Sequence, residues 1–551
     1  MRSNRAAVLA VCVLLAVLHT WPLALHPGRY SLNDNADTQL NEWILAWVAH
    51  QLPRDPLHLF EANIFYPAHD ALAFSEPLLV PALMGAPIAW LGGSPVLEYN
   101  LVLLAGFALT AFATCLLVRA WTGSIAAGLV AGSVFAFNTH TLTRLPHVQA
   151  IHLYGLPLAL LAIDRIVADG SRRAALLLAG ALALLAYTSG YLVVFALVML
   201  PIAVLVRALE WRPRARQVTV ALAIATAVSA LVILPVYLPY RRAAIEQHMT
   251  RPLEVVQDYS TALSRYLATA ARLHNATWSA RFFEEGVDSF FPGFVILGLA
   301  AFAVVTTMRR RRKITSAPDA TSPSATVSTA PNVLRWRVAM LVAIGLAGVI
   351  LSLGTHTPVY GWLFAIFPPI RSLRAASRFG NLFLLAVAVL GGIAVSWTQQ
   401  RWLAIALLVL VNIESLRAPI AYEPFTGIPG VYKEVARESG RVVVAEMPFW
   451  LRAGIFQNGP YELGSTANWR PLMNGYSGYI PESYDRYAET FWLFPDDRAI
   501  ASMRAAGVTH VIVHMSRFND DESRRILALE ERGVLELMAI SGGELRLYRL
   551  K

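Results

Sequence analysis

Three groups of residues in this 551-residue chain have types and spacing that could do chemistry. The first is the acidic stretch Asn33-Asp-Asn-Ala-Asp-Thr38. A carboxylate here can take a proton from an attacking hydroxyl, and Asp37 is the candidate for that base. Aspartate is also a favoured helix N-cap, a role compatible with the first. Asp34 can hold a metal or orient an acceptor, or simply serve a turn. Further on, Glu76 in Ser75-Glu-Pro-Leu78 is a candidate acceptor contact or helix cap. The second group is Arg144 and His147, just after Asn138-Thr-His140. At a helix end these can bind a phosphate or a sugar. The third is Arg371, Arg374 and Arg378, spaced i, i+3 and i+7. On a helix they share a face, and three guanidinium groups on one face clamp a phosphate. Alternatively they reach toward anionic lipid headgroups. Cys12 and Cys115 fall in apolar runs, and no Cys/His cluster has metal-ligand spacing. A divalent cation stays open as a cofactor; no nucleotide-binding motif is present.

The elements that must position these groups are membrane helices. Hydrophobic residues make up 56% of the chain and charged ones 15%, against about 25% charged in soluble proteins. Mean hydropathy is +0.50. A wholly soluble enzyme and a disordered protein are both excluded. Apolar runs long enough to cross a bilayer predict helices at about 6–26, 97–118, 121–138, 149–167, 174–188, 190–208, 217–238, 289–308, 337–354, 378–397 and 402–416. Eleven spans put the termini on opposite sides. Arg2 and Arg5 ahead of an apolar stretch resemble a signal peptide, but no small-x-small cleavage site follows, so the expectation is a retained first helix.

Basic residues orient the bundle. The loops on the N-terminal side hold 18 basic residues and four acidic ones, including the run Arg309–Lys313. By the positive-inside rule that side is cytoplasmic. The formal charge of +10 therefore reports topology, and no nucleic-acid partner is expected. The stretch 314–332, rich in Ser, Thr, Ala and Pro, reads as a flexible cytoplasmic linker. The first outer loop, 27–96, and the loops 239–288 and 355–377 face outward, in a bacterial-type plasma membrane. Residues 1–419 thus form a transmembrane domain. The tail, 420–551, reads as an extracytoplasmic α/β domain: a strand at 441–446, a helix at 497–506, a strand at 509–514, a helix at 522–532 and a closing hairpin at 535–550.

Within the first outer loop, Leu40, Trp43, Ile44, Trp47, Val48 and Leu52 recur at helical spacing. They predict an amphipathic helix over 38–52 lying flat on the outer leaflet, its tryptophans at the interface, with Asp37 at its start. In the tail, Asn474-Gly-Tyr-Ser-Gly-Tyr-Ile-Pro481 is a glycine- and aromatic-rich loop, read as an ordinary turn that can also stack on a sugar ring.

A first helix followed by an outer loop whose acidic motif opens an interfacial helix resembles the GT-C superfamily of polytopic glycosyltransferases. Matching Asp37-Thr-Gln-Leu-Asn-Glu-Trp43 to that motif puts the family's catalytic carboxylate on Asp37, with Thr38 where many members carry a second acidic residue. Glu76-Pro-Leu78 stands where many members have a His-Pro-Pro-Leu-like element. The resemblance implies a polyprenyl-phosphate-linked sugar as donor, an acceptor glycan, lipid or protein, and inversion at the sugar. It implies a lipid phosphate held by Arg371, Arg374 and Arg378. Two other classes compete: a lipid or lipid-linked-sugar flippase, and a non-catalytic envelope scaffold. The clustering of polar residues in outer loops, with helices nearly free of charge, weighs against transport.

Overall fold

The computed structural model describes residues 2–32, 34–249, 252–314 and 330–551. Asn33 and all but the ends of the expected 314–332 linker lie outside the described residues, as do the side chains of Arg310 to Lys313. Each apolar run read from the sequence coincides with a helix. In chain order these are Arg2–His19, Pro95–Thr122, Ile125–Ala136, Gly155–Asp169, Arg172–Thr188, Gly190–Val206, Ala215–Glu246, Phe294–Ile314, Ala330–Ser352, Gly380–Val395 and Arg401–Ser415. Among the described residues, five helices are long and apolar enough to cross a membrane by length and composition. The chain divides into two compact units: residues 1–25, 103–235 and 251–421 in one, and 26–102, 236–250 and 422–551 in the other.

The first unit is helical and closely packed. Small residues let its backbones approach: a Cβ on Gly132 would lie 2.3 Å from the Ala111 carbonyl oxygen, and one on Gly392 3.0 Å from that of Ala127. Such contacts are the main attraction between helices in lipid, where burial of apolar surface gives no drive. Buried charges inside form one paired cluster around Asp164. Asp164 accepts from Arg207 Nη1 at 2.6 Å, from Arg337 Nε at 3.0 Å and Nη2 at 2.8 Å, and from Trp121 Nε1 at 3.0 Å. Arg207, fully buried, also donates to both oxygens of Glu210.

The second unit is organised around helix Ala36–Gln51. Thr38 to Ala49 are all buried, so this element is a core helix and not an amphipathic one lying on a surface. Its tryptophans are used internally: Trp43 Nε1 donates to Asn63 Oδ1 at 3.2 Å and Trp47 Nε1 to the Leu59 carbonyl at 2.9 Å. Helices Leu79–Trp90 and Gly459–Ser465 pack on it. The tail contributes a four-stranded sheet in the order Val444–Met447, His510–His514, Leu545–Leu550, Leu535–Ser541. The first pair is parallel and the other two are antiparallel. Helix Asp497–Ala505 leads into the second strand, and a capping box of Asn519 and Glu522 starts helix Asp520–Glu531. The short strand Tyr30–Ser31 pairs antiparallel with Glu423–Pro424.

Candidate functional site

Asp37 is the second residue of its helix and not the cap. The cap is Asn35, whose side chain accepts from the Asp37 amide at 2.9 Å. The Asp37 carboxylate is thereby left for a tertiary contact: Tyr476 Oη donates to Asp37 Oδ1 at 2.9 Å. Asp37 is half-buried, in the first turn, where the helix dipole favours a negative charge. Asp34 is exposed in the preceding turn, which fits a turn residue.

Tyr476 is itself held firmly. Its amide donates to the buried carboxyl of Glu462, in helix Gly459–Ser465. Burial pushes the Glu462 pKa well above the ordinary carboxylate value. The neighbouring Gly475 carbonyl accepts from Asn458 at 2.9 Å, and Asn474 bridges to the Glu446 backbone through both ends of its amide. Gly459 allows the approach that brings this loop to Asp37, for a Cβ there would lie 2.4 Å from Gln39 Oε1 and 3.2 Å from Ala36 Cα. The loop 474–481, an ordinary turn by its sequence, is therefore the support of the candidate base. Only its unusual composition marked it in the sequence.

Glu76 is half-buried, near Tyr237 and Tyr240, and the neighbouring Ser75 carbonyl accepts from Tyr240 Oη at 3.1 Å. Pro77 precedes the helix Leu79–Trp90 and does not occupy its first turn; Leu78, at φ 46°, is its cap residue.

In the other unit the three arginines do not form one helical face. Pro368–Ser372 and Ala376–Phe379 are separate 3-10 turns, with Leu373 extended between them. The reason is tertiary: the amides of Arg374 and Ala375 donate to Tyr191 Oη at 3.1 and 3.0 Å, in place of helical carbonyls. Arg371 donates to the Phe364 and Ala365 carbonyls, both at 2.7 Å, and so caps the end of helix Pro358–Ile366. Arg374 lies over the Tyr259 ring at 5.0 Å and Arg378 over the Tyr191 ring at 4.5 Å. Both are half-buried, and among the described residues neither has a carboxylate partner.

Arg144 is already neutralised, since its Nη2 meets Asp288 Oδ1 at 2.6 Å. Burial alone would raise the Asp288 pKa, but His140 and Arg144 beside it hold it below the ordinary value. His140 is buried, which lowers its pKa to about 3 despite Asp288. His147 is half-buried ahead of the turn Val148–Ala150, within electrostatic reach of His140. Asp288 was not among the sequence candidates; nothing in its spacing marks it. No cluster of three or more His, Cys, Asp or Glu fit to hold a metal exists among the described residues.

No family model and no curated protein matches the chain. Solved structures do. The cryo-EM structure of the arabinofuranosyltransferase AftD from mycobacteria aligns with 100% of this chain and 40% of its own, at 16% identity and a TM-score of 0.62. A mutant form of AftD aligns with 100% and 41%, at 15% identity and a TM-score of 0.58. The apo crystal structure of ArnT from Cupriavidus metallidurans aligns with 99% and 97%, at 13% identity and a TM-score of 0.44. The chain thus spans about 40% of the length of AftD and shares its fold. At this identity the likeness is one of fold.

Proposed function

We propose that the chain is a membrane glycosyltransferase that moves a sugar from a polyprenyl-phosphate donor to an acceptor hydroxyl on the outer face of the membrane, with inversion. The observation that carries this reading is the Asp37 carboxylate, relieved of capping by Asn35 and held by the Tyr476 hydroxyl at 2.9 Å. In this reading Asp37 takes the acceptor proton as the hydroxyl oxygen attacks the anomeric carbon. The bond from that carbon to the phosphate oxygen breaks, and its electron pair leaves with the lipid phosphate. In the other unit, Arg374 and Arg378, which lack carboxylate partners among the described residues, are proposed as a hold for a lipid phosphate. Arg371, occupied with a helix end, contributes less. The shared fold with an arabinofuranosyltransferase supports sugar transfer as the class of reaction.

The test is turnover of a panel of radiolabelled undecaprenyl-phosphate sugars by the full chain in lipid. One donor should turn over, with loss of about a hundredfold or more in Asp37→Asn, the range set by general-base catalysis. Turnover of no donor, or an Asp37→Asn variant as active as wild type, refutes the reading; donor translocation without release would favour the flippase.

A further inference from the structure

The two parallel strands of the tail, Val444–Met447 and His510–His514, end side by side. The carboxyl ends of parallel strands are where open α/β sheets bind ligands. Here they carry a pinned pair: His514 Nε2 meets Glu446 Oε2 at 2.9 Å, and Tyr432 Oη donates to the same oxygen at 2.8 Å. Glu446 is fully buried, so this carboxylate is engaged within the fold. The His514 ring stacks on Tyr461 at 4.6 Å and so fixes that ring in turn. Tyr461 Oη then receives Trp450 Nε1 at 3.3 Å and Arg517 Nη1 at 3.4 Å. Tyr461 and Glu462 are consecutive in helix Gly459–Ser465, but Tyr461 serves this cluster while Glu462 receives the Tyr476 amide. The cluster therefore shares a helix with the support of Asp37 and no side chain.

Arg517 is the feature that asks for a ligand. It is exposed, and its guanidinium lies 5.6 Å over each of the Trp450 and Tyr461 rings. Its hydrogen bonds, to Gln457 Oε1 and Tyr461 Oη, both leave from Nη1 at 3.4 Å. Among the described residues it has no carboxylate partner, and its Nε and Nη2 have no protein partner at all. Those two nitrogens form the edge of the guanidinium that grips a carboxylate or phosphate through two parallel bonds. The rings beneath hold that edge in place before any ligand arrives. Beside it is an apolar face: Trp492, 46% exposed, lies 6.4 Å from the Trp450 ring that Arg517 covers. An exposed indole can pack against the C–H face of a sugar ring by dispersion.

These groups together select a chemistry. The open guanidinium edge takes an anion, and the exposed indole takes a flat, partly apolar ring. A neutral glycan leaves the first unused, and a free anion leaves the second. We propose that the tail carries a binding site for an acidic sugar, a uronate or a sugar phosphate, gripped by Arg517 and stacked on Trp492. It does not rest on the transferase reading, because no group of the Asp37 centre takes part.

The test is isothermal titration calorimetry of the full chain in phosphatidylcholine nanodiscs with trigalacturonate, its neutral methyl ester and mannose 6-phosphate. At least one acidic sugar should bind wild type and Asp37→Asn equally. Arg517→Met should weaken it about tenfold or more, the loss of hydrogen bonds between charged groups. Trp492→Ala should weaken it about threefold or more, the share of an aromatic contact. Both positions are exposed, and an unchanged thermal midpoint will show that the fold is spared. Binding of neither acidic sugar overturns the proposal, as does binding that survives both variants or a methyl ester that binds as well as the acid. Loss in Asp37→Asn also overturns it, placing the sugar at the other centre. Leu451 and Phe456, exposed and neighbouring Trp450 and Gln457 in sequence, make an anionic lipid surface the competing occupant. Arg517-dependent sedimentation with phosphatidylglycerol vesicles, with neither acidic sugar bound, overturns the proposal in its favour.

Discussion

At the scale of single residues, the candidate site turns on which group takes which backbone donor. Asn35 caps the helix, so Asp37 presents its carboxylate to Tyr476. Tyr476 is a positioning residue in this arrangement. Tyr476→Phe removes a hydrogen bond to a charged acceptor, a loss of about 1.5–3 kcal/mol. The expected result is a kcat lowered about tenfold or more with KM nearly unchanged, read from steady-state transfer kinetics, since the ring still fills its place. A fall in KM-dependent binding alone would show that Tyr476 contacts substrate and does not orient the base.

At the scale of elements, residues 26–102 and the tail meet through helix pairing. Gly459 sits where Gln39 and Ala36 press against helix Gly459–Ser465. Gly459→Ala inserts a methyl group into that contact, and overpacking of this kind costs about 1–3 kcal/mol. Both the thermal midpoint of the purified protein and its transfer rate should fall, because the displaced helix carries Glu462, the anchor of Tyr476. An unchanged midpoint and rate would mean that the contact relaxes without moving the loop. The arginine segment teaches a related lesson. Its i, i+3, i+7 spacing has the helical period, yet the Tyr191 hydroxyl takes two of its amides, and the local backbone follows that bond.

For the molecule as a whole, the helical first unit is held by a buried charge cluster. Asp164 is shared by Arg207 and Arg337, from different helices or their ends. Removing one partner of a buried ion pair costs about 3–5 kcal/mol, because it strands the other charges. Asp164→Ala should therefore sharply lower the detergent-solubilised protein's unfolding midpoint in differential scanning fluorimetry. Adding Arg337→Met, which removes one of the stranded charges, should recover part of the loss. No recovery in the double variant would argue that packing, and not charge, dominates there.

The helices were legible in the sequence because a bilayer interior demands long apolar runs, and hydropathy alone reports them. The strands of the tail and its helices Asp497–Ala505 and Asp520–Glu531 were legible from short-range alternation and periodicity, while Gly430–Arg437, Gly459–Ser465 and Glu482–Phe491 were not. Asp37 could be singled out because an acidic residue ahead of an apolar helix has few explanations. Tyr476 could not be tied to it, for the two are separated by 439 positions and no local pattern links a tyrosine to a distant carboxylate. Nor could the burial of helix Ala36–Gln51 be read from its own residues. Its spacing looks amphipathic, but its polar residues are buried as well: Ser31 donates to Glu42 Oε1 at 3.0 Å, and Asn41 donates to the Asp37 carbonyl at 2.7 Å. Sequence determined which segments are helices and which residue types could act. Tertiary structure decided which side chains meet, because hydrogen bonds and close packing are made in space between residues far apart along the chain.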